Sequence, residues 1–329
     1  MTKNIPKIVV ITPIKNEEWI LDRFLSVTSQ FADHIIIADQ NSTDNSIDIC
    51  KRYPKVTLIA NKSDKFNEAE RQLLLINTAR ELVPEHKILL ALDADEILAA
   101  NATQTSGWQA MLRAKPGTVL CFEKPELYLT PDQCLRYDYP WPLGYVDDGA
   151  EHQPKKIHSI RIPQPEYSSI LHIHDVKILH YALSRISGQQ AKMRYYSVLE
   201  NIFSTHSLIT RRRAYVFNRD VISKDRLSQS PKEWFCKWEE LGIDMHTVEN
   251  KKYYWQDFEV LKYFSQYGYL RFWFDDIWKF DWESCRLYAK SLGIENIPDN
   301  RIFTPPKYLD KLSDLITKCL VTIKSLLTN

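Results

Sequence analysis

Two neighbouring carboxylates follow a short apolar run in the first third of the chain, and their spacing suits a divalent cation. KILLAL (87–92) leads directly into Asp93-Ala94-Asp95. Residues i and i+2 of an extended chain point to the same side, so the two carboxylates would repel each other unless a cation lay between them. Such a metal could bind both phosphates of a nucleoside diphosphate and stabilise charge on the departing diphosphate. The alternative is a pair of solvated turn acids.

The glycine content narrows how this region could bind phosphate. The chain has 8 glycines, and none precedes Gly107. Nucleotide-binding G-x-G-x-x-G turns and G-x-x-x-x-G-K-[ST] loops need glycines that let backbone amides approach the phosphates. The amino-terminal region can build neither, so a metal held by carboxylates is the expected substitute. The same lack argues against a sugar nucleotidyltransferase, which normally has a glycine-rich loop near its start.

The elements that must position these acids follow a regular alternation of apolar runs and amphipathic segments. This alternation predicts an α/β fold, with a mostly parallel, Rossmann-like sheet and helices on both faces. Ligands of such sheets bind beyond the carboxyl ends of the strands, where Thr12, Asp39 and Asp93 follow their strands. Asn67, with Glu70 three residues later, predicts a capped helix start. The predicted strands are 7–12, 34–39, 56–60 and 87–92, and the predicted helices are 17–30, about 43–53 and about 67–82.

The rest of the chain is less regular and predicts two domains, 1–220 for catalysis and 221–329 as a helical, aromatic-rich region. The proline-rich stretch 125–165 predicts long loops and edge strands. The aromatic residues from Tyr253 to Tyr288 predict core packing between helices, with stacking on acceptor sugars as the alternative. Further strands are predicted at 118–124 and 176–183, and helices at 189–203 and from Pro231 to Gly242.

The motifs KIVVITPIKNEE, DQNSTDNS and LLALDADE resemble the donor-binding half of family 2 glycosyltransferases, which have the A-type glycosyltransferase fold. The resemblance covers about residues 7–100. The family usually has glycine where this chain has Asn41, and asparagine tolerates left-handed backbone better than most residues. On this basis the donor nucleotide is expected to contact Thr12, Pro13, Glu17, Asp39, Arg71 and Asp93. The expected metal ligands, for Mn2+ or Mg2+, are Asp93, Asp95 and His180.

An inverting transferase also needs a carboxylate that takes the proton from the attacking hydroxyl. The candidates are Asp147, Asp148, Glu151 and Asp175. Some relatives that add sugars to lipopolysaccharide core have His-Glu before a His-Tyr strand, and His174-Asp175 before His180-Tyr181 resembles that pattern. The resemblance favours Asp175 as the base and His180 as an additional metal or diphosphate ligand. A zinc site that includes His172 and His174 is an alternative for this region.

The resemblance implies an inverting glycosyltransferase that moves a sugar from a UDP-sugar or related nucleotide-sugar donor to a hydroxyl of a glycan or glycolipid. A non-catalytic nucleotide-sugar or carbohydrate-binding protein on the same fold is the alternative from another class. The net charge of +1 predicts no nucleic acid partner. Six dispersed cysteines predict reduced thiols in the cytoplasm. The seam of Leu309, Leu312, Ile316, Cys319, Ile323 and Leu326 predicts packing on the body or on a second copy as a homodimer, with peripheral contact at the inner face of the membrane as a further alternative.

Overall fold

The chain forms two compact units, Met1–Arg185 with Ser223–Glu249, and Ile186–Ile222 with Asn250–Asn329. A functional division at residue 220 stays a prediction. Ile316, Cys319, Ile323 and Leu326 of the predicted seam lie outside the described residues, so the homodimer also stays a prediction. The computed structural model describes residues 5–61, 67–136, 139–155, 159–203, 207–215, 226–309, 311–312 and 315.

The first unit contains one large sheet. Its strands are β1 (Lys7–Ile14), β2 (His34–Asp39), β3 (Val56–Ala60), β4 (Lys87–Ala91), β5 (Glu96–Leu98), β6 (Val119–Glu123), β7 (Glu126–Tyr128), β8 (Thr130–Leu135), β9 (Pro140–Val146), β10 (Ile170–His180) and β11 (Leu227–Gln229). Their order is β11-β8-β7-β10-β6-β9-β4-β1-β2-β3, and β5 pairs with β10. The helices of this unit are α1 (Glu18–Thr28), α2 (Ser46–Lys51), α3 (Glu68–Leu82), α4 (Ser106–Leu112) and α7 (Cys236–Glu240). Parallel and antiparallel pairs both occur, so the sheet is mixed.

The first four strands are parallel and were predicted correctly, β2 and β3 to the residue. Alternate side chains of β1 enter different cores, since Val10 packs with Phe24 of α1 and Val9 packs with Leu75 of α3. Both faces of β1, β2 and β4 are therefore buried, which explains their nearly continuous apolar sequences, whereas β3, the last strand in the order, is half-buried. The predicted helix cap is also present, because the Asn67 side chain accepts from the Glu70 amide at 3.4 Å.

The proline-rich stretch departs from the prediction of loops and edge strands. Within it, β9 lies inside the sheet, antiparallel to both β4 and β6. A Cβ atom on Gly144 would meet Leu90 Cδ2 at 2.9 Å and Leu120 Cβ at 3.0 Å. Glycine therefore lets β9 fit between its neighbours, and a register shift at Leu120 accompanies the fit. The prolines of the segment concealed a central strand, since proline is found mainly on sheet edges.

The second unit is helical where it is described, with α5 (Ile186–Phe203), α6 (Leu208–Tyr215), α8 (Trp255–Tyr267) and α9 (Trp282–Ser291). The Phe264 ring stacks on Trp278 at a centroid distance of 5.7 Å and meets the edge of Trp282 at 5.1 Å. Trp282 is 1% exposed, so these rings pack as a core. No helix in the described ranges is both long and apolar enough to cross a membrane.

Candidate functional site

The turns that follow β1 and β2 are bonded to each other at the carboxyl edge of the sheet. The Asn16 amide donates to Ser42 Oγ at 2.8 Å, and the Thr43 amide donates to Asn16 Oδ1 at 2.7 Å. The Glu17 amide donates to Ser46 Oγ at 2.9 Å. We call residues 15–18 and 41–46 the turn latch. Asn41 has φ of +53°, which confirms that asparagine serves where the resembled family has glycine.

Asp39 lies at the same end of the sheet, and its carboxylate accepts a hydrogen bond from its own turn. The Ser42 amide lies 3.3 and 3.2 Å from its two oxygens, and the residue is 7% exposed. Of the neighbouring positions, Pro13 is half-buried, whereas Thr12 is fully buried and its hydroxyl has no hydrogen-bond partner within the described part of the chain. Pro13 and Asp39 are therefore more exposed than Thr12. Their role in nucleotide binding stays a prediction.

Arg71 and Glu17 differ in how far their side chains are engaged. Arg71 lies in the first turn of α3, and its Nε is buried with no hydrogen-bond partner among the residues that the structure describes. A buried donor of this kind is costly unless a ligand or water accepts from it. Glu17 accepts from Trp19 Nε1 at 2.8 Å, which fixes its carboxylate beside α1.

The acidic turn, residues 93–96, is built around the fully buried Glu96. The Glu96 amide donates to the Asp93 carbonyl at 3.0 Å, and the Asp93 amide donates back to Glu96 Oε2 at 3.0 Å. Lys124 Nζ lies 2.9 Å from Glu96 Oε1. Arg161 bridges two acids, with Nη1 at 2.5 Å from Glu96 Oε2 and Nη2 at 2.6 Å from Asp93 Oδ2. The buried Glu96 carboxylate therefore stabilises the turn that contains Asp93 and Asp95.

These contacts keep the buried groups charged. Burial alone would raise the pKa of Glu96, but Arg161 and Lys124 hold that pKa well below its usual range. Burial would lower the pKa of Arg161, but the charges of Asp93 and Glu96 raise it instead. The acidic turn thus contains an ionic network rather than neutral acids.

Arg161 was not predicted as a site residue because a long segment carries it to the site. β9 ends beside the start of β4, at the end of the sheet away from the acidic turn. From there, the described residues of 147–162 run back along α3. We call these residues the return segment. Its contacts meet α3 in reverse order, with Ala150 bonded to Arg80, His152 to Gln72 and Ser159 to Glu68. No local pattern in the sequence signals this path.

His180 lies between two carboxylates at the end of β10. Its Nδ1 is 2.6 Å from Glu126, and its Nε2 is 3.6 Å from Asp95 Oδ2. Burial would lower its pKa, but the charges of Glu126 and Asp95 raise the pKa to about 10. Without other ligands His180 is therefore a cation beside Asp95, and its role as a metal ligand stays a prediction. Glu126, which the sequence did not single out, joins the site through the pairing of β7 with β10.

Asp148 lies away from the acidic turn. The Asp147 amide donates to the carbonyl of Lys87, the first residue of β4, and Asp148 Oδ1 accepts from the Tyr145 hydroxyl at 2.6 Å. At about 3.3 Å per residue, the start of β4 is roughly 20 Å from Asp93. The structure places Asp148 far from Asp93, and a role for Asp148 or Glu151 as the base stays a prediction.

Asp175 also has a different environment from the one expected. Its Oδ2 accepts from Ser106 Oγ at 2.9 Å and from the Gly107 amide at 3.0 Å, at the start of α4. A Cβ atom on Gly107 would meet Asp175 Oδ1 at 2.0 Å, so only glycine allows this approach. Burial would raise the pKa of Asp175, but these hydrogen bonds lower it. The contacts make Asp175 a cap of α4, and its role as the base stays a prediction.

Asp175→Asn separates these two roles. If the carboxylate caps α4, we expect the variant to lose about 1 kcal/mol of unfolding free energy and to keep its turnover number within about threefold. Urea unfolding and steady-state turnover on the same preparation would measure both. A fall in turnover of about 10²-fold or more with unchanged stability would instead establish Asp175 as the base.

The acids fit a metal that arrives with phosphate better than a metal bound by protein alone. No group of three His, Cys, Asp or Glu side chains in the described ranges is arranged to hold a metal. The side chains of Asp93 and Asp95 are 32% and 18% exposed, so both can reach a ligand. Mg2+ is commonly bound by one or two carboxylates together with substrate phosphates. In the alternative zinc region, His172 and His174 stack at 6.2 Å, and His174 bonds to Glu123.

The acidic turn and Asp39 lie at the same end of the sheet, where the parallel strands have their carboxyl ends. β4 and β2 both flank β1 in parallel, so the two strand ends lie about 10 Å apart. This is the edge at which ligands bind in doubly wound sheets.

Comparisons with known proteins agree with the motifs of the first hundred residues. The family model for glycosyl transferase family 2 matches residues 9–105. A search of curated proteins gave no match.

Solved structures that resemble the chain do so at low identity. Glucosyl-3-phosphoglycerate synthase from Mycobacterium tuberculosis, in complex with Mn2+, UDP and glucosyl-3-phosphoglycerate, is 17% identical with a TM-score of 0.27, covering 37% of this chain and 44% of that one. A mycobacterial protein is 16% identical with a TM-score of 0.28, covering 37% and 41%. The chain thus spans less than half the length of these two proteins. 4-Diphosphocytidyl-2C-methyl-D-erythritol synthase from Anaerococcus prevotii is 13% identical with a TM-score of 0.32, covering 51% and 87%.

Proposed function

We propose that this protein is a metal-dependent, inverting glycosyltransferase that uses a nucleoside-diphosphate sugar, with UDP-sugar as the first choice of donor. One observation carries the proposal. Asp93 and Asp95 directly follow a buried strand and share a sheet edge with Asp39, within the segment that matches the family model. The match supports the reaction class, and the partly exposed carboxylates of Asp93 and Asp95 support the metal.

In this proposal the two sides of the site bind different parts of the donor. Pro13 and Asp39 face the base, and Arg71 supports the nucleotide. Asp93 and Asp95 hold Mn2+ or Mg2+, which supplies positive charge that stabilises the departing diphosphate. His180 adds a second positive group beside Asp95, positioned for the same diphosphate.

The reaction is a single displacement. The acceptor hydroxyl, on a glycan or glycolipid, forms a bond to the anomeric carbon as the bond from that carbon to the diphosphate breaks. The electron pair leaves with the diphosphate, and the hydroxyl proton passes to a carboxylate. A glycolipid acceptor would bring the enzyme to the cytoplasmic face of a membrane.

The proposal is tested by incubating the full chain with a panel of nucleotide sugars and measuring release of the free nucleotide. We expect slow release of UDP from one UDP-sugar with Mn2+, and none once EDTA is added. Sugar acceptors can then be screened by their acceleration of this release.

Two other outcomes would replace the proposal. Binding of UDP with no release from any donor would indicate a non-catalytic nucleotide-sugar-binding protein. Release of pyrophosphate from a nucleoside triphosphate and a sugar phosphate would indicate a nucleotidyltransferase.

A further inference from the structure

We propose that Arg161 is a resident counter-cation of Asp93 that the metal and the donor diphosphate must displace together. The inference rests on the proposed function and deepens it, because it concerns how the same site is loaded. It predicts that metal and nucleotide each bind weakly alone and strengthen each other.

The first argument is the geometry of Arg161. Both of its terminal nitrogens bond to Glu96, Nη1 at 2.5 Å and Nη2 at 3.2 Å, whereas Asp93 is bonded by Nη2 alone, at 2.6 Å. Glu96 is fully buried and retains Lys124 as a second cation, whereas Asp93 is the more exposed acid. Of the two ion pairs, the one with Asp93 is therefore easier to break, since one partner can be resolvated.

The second argument is the charge of the site. Asp93 and Glu96 are two carboxylates, and within the described part of the chain they bond to two cations, Arg161 and Lys124. The charge of Asp93 is thus already balanced before a ligand binds. A divalent cation alone meets little attraction and has to compete with a guanidinium for an oxygen of Asp93.

The third argument is the chemistry of the diphosphate. Phosphate oxygens accept bidentate hydrogen bonds from a guanidinium, so the diphosphate offers Arg161 a replacement for Asp93. The released carboxylate can then bind the metal, which in turn binds the phosphates. Each ligand thereby removes an obstacle to the other, and the coupling must be equal in both directions.

The test uses Arg161→Met and measures Mn2+ affinity by the electron paramagnetic resonance signal of free Mn2+, with and without UDP. In the wild type, UDP should raise Mn2+ affinity by tenfold or more. The variant should bind Mn2+ alone about tenfold or more tightly than the wild type, as expected for loss of a competing charge-assisted hydrogen bond. It should also bind UDP alone more weakly and show a smaller effect of UDP on Mn2+.

Arg80→Met is the matched control, because Arg80 is also paired with an aspartate, Asp147 at 2.8 Å, but at the opposite edge of the sheet. Its Mn2+ affinity should stay within about twofold of the wild type. Thermal unfolding reports whether each variant is folded. Should Arg161→Met fail to fold, Arg161→Gln decides by the same criterion, since its amide can donate to the buried Glu96 but has no positive charge with which to compete for Asp93.

The outcomes separate this inference from the proposed function. If folded Arg161 variants bind Mn2+ alone no more tightly than the wild type, Arg161 does not compete for Asp93, although the donor site stands. If the wild type binds no Mn2+ even with UDP, the proposed metal-dependent donor site is itself wrong.

Discussion

Asp95→Asn is expected to lower kcat/KM for Mn2+-dependent nucleotide release by at least about 100-fold. The metal is proposed to supply several kcal/mol of stabilisation to the departing diphosphate, and each 1.36 kcal/mol corresponds to tenfold in rate. An amide is a weaker metal ligand than a carboxylate, and it also leaves His180 with one fewer acid partner. Initial rates over a range of donor and Mn2+ concentrations would show whether extra Mn2+ recovers part of the loss.

Asp48→Asn is the matched control for this substitution. Asp48 is an exposed acid on α2, paired with Lys51 three residues later, and exposed pairs of this kind contribute little. Its activity should equal that of the wild type. Equal activity of the Asp95 variant and the control would remove Asp95 from the proposed metal site.

Glu96→Gln is expected to cost about 3–5 kcal/mol of unfolding free energy, because it leaves the buried Lys124 without its carboxylate and Arg161 with Asp93 alone. Lys124 and Arg161 both bond to Glu96, and the Asp93 amide of the acidic turn donates to the same side chain. We also expect activity to fall, since Asp93 and Asp95 lose their support. Urea unfolding measures the first effect, and nucleotide release measures the second.

Two further variants test whether loss of ion pairs causes the destabilisation by Glu96→Gln. Glu123→Gln removes a less buried acid that pairs with Lys177, and it should cost no more than about 1 kcal/mol. The double variant Glu96→Gln with Lys124→Met should be more stable than Glu96→Gln alone, because it removes one uncompensated cation. A double variant less stable than Glu96→Gln would contradict the ionic account.

The sequence predicted the four parallel strands because each is a short apolar run between polar, amphipathic segments; β1, β2 and β4 are largely buried, and β3 is half-buried. It also predicted that Asp39, Asp93 and Asp95 would share an edge, because a parallel sheet brings strand ends together whatever the details of its loops. Local patterns were sufficient for these elements. The family resemblance, with glycine at the position of Asn41, had indicated that the turn tolerates asparagine, and Asn41 has a left-handed backbone.

Other features depend on contacts between residues distant in sequence. β9 was concealed by prolines, and its central position depends on Gly144 fitting between two leucines from other strands. Arg161 reaches Asp93 only because the return segment follows α3. Asp175 was favoured as the base by its sequence neighbours, whereas its actual partners, Ser106 and Gly107, lie almost seventy residues away.

The turn latch has a thermodynamic consequence for ligand selection. Hydrogen bonds between the turns after β1 and β2 fix the backbone of the turn latch before any ligand binds. A nucleoside that binds there need not order flexible backbone, so little conformational entropy opposes its binding. Discrimination among bases at the turn latch would therefore depend on how well each base fits a rigid surface and its hydrogen-bonding groups. The turns would adjust little to a base that fits poorly.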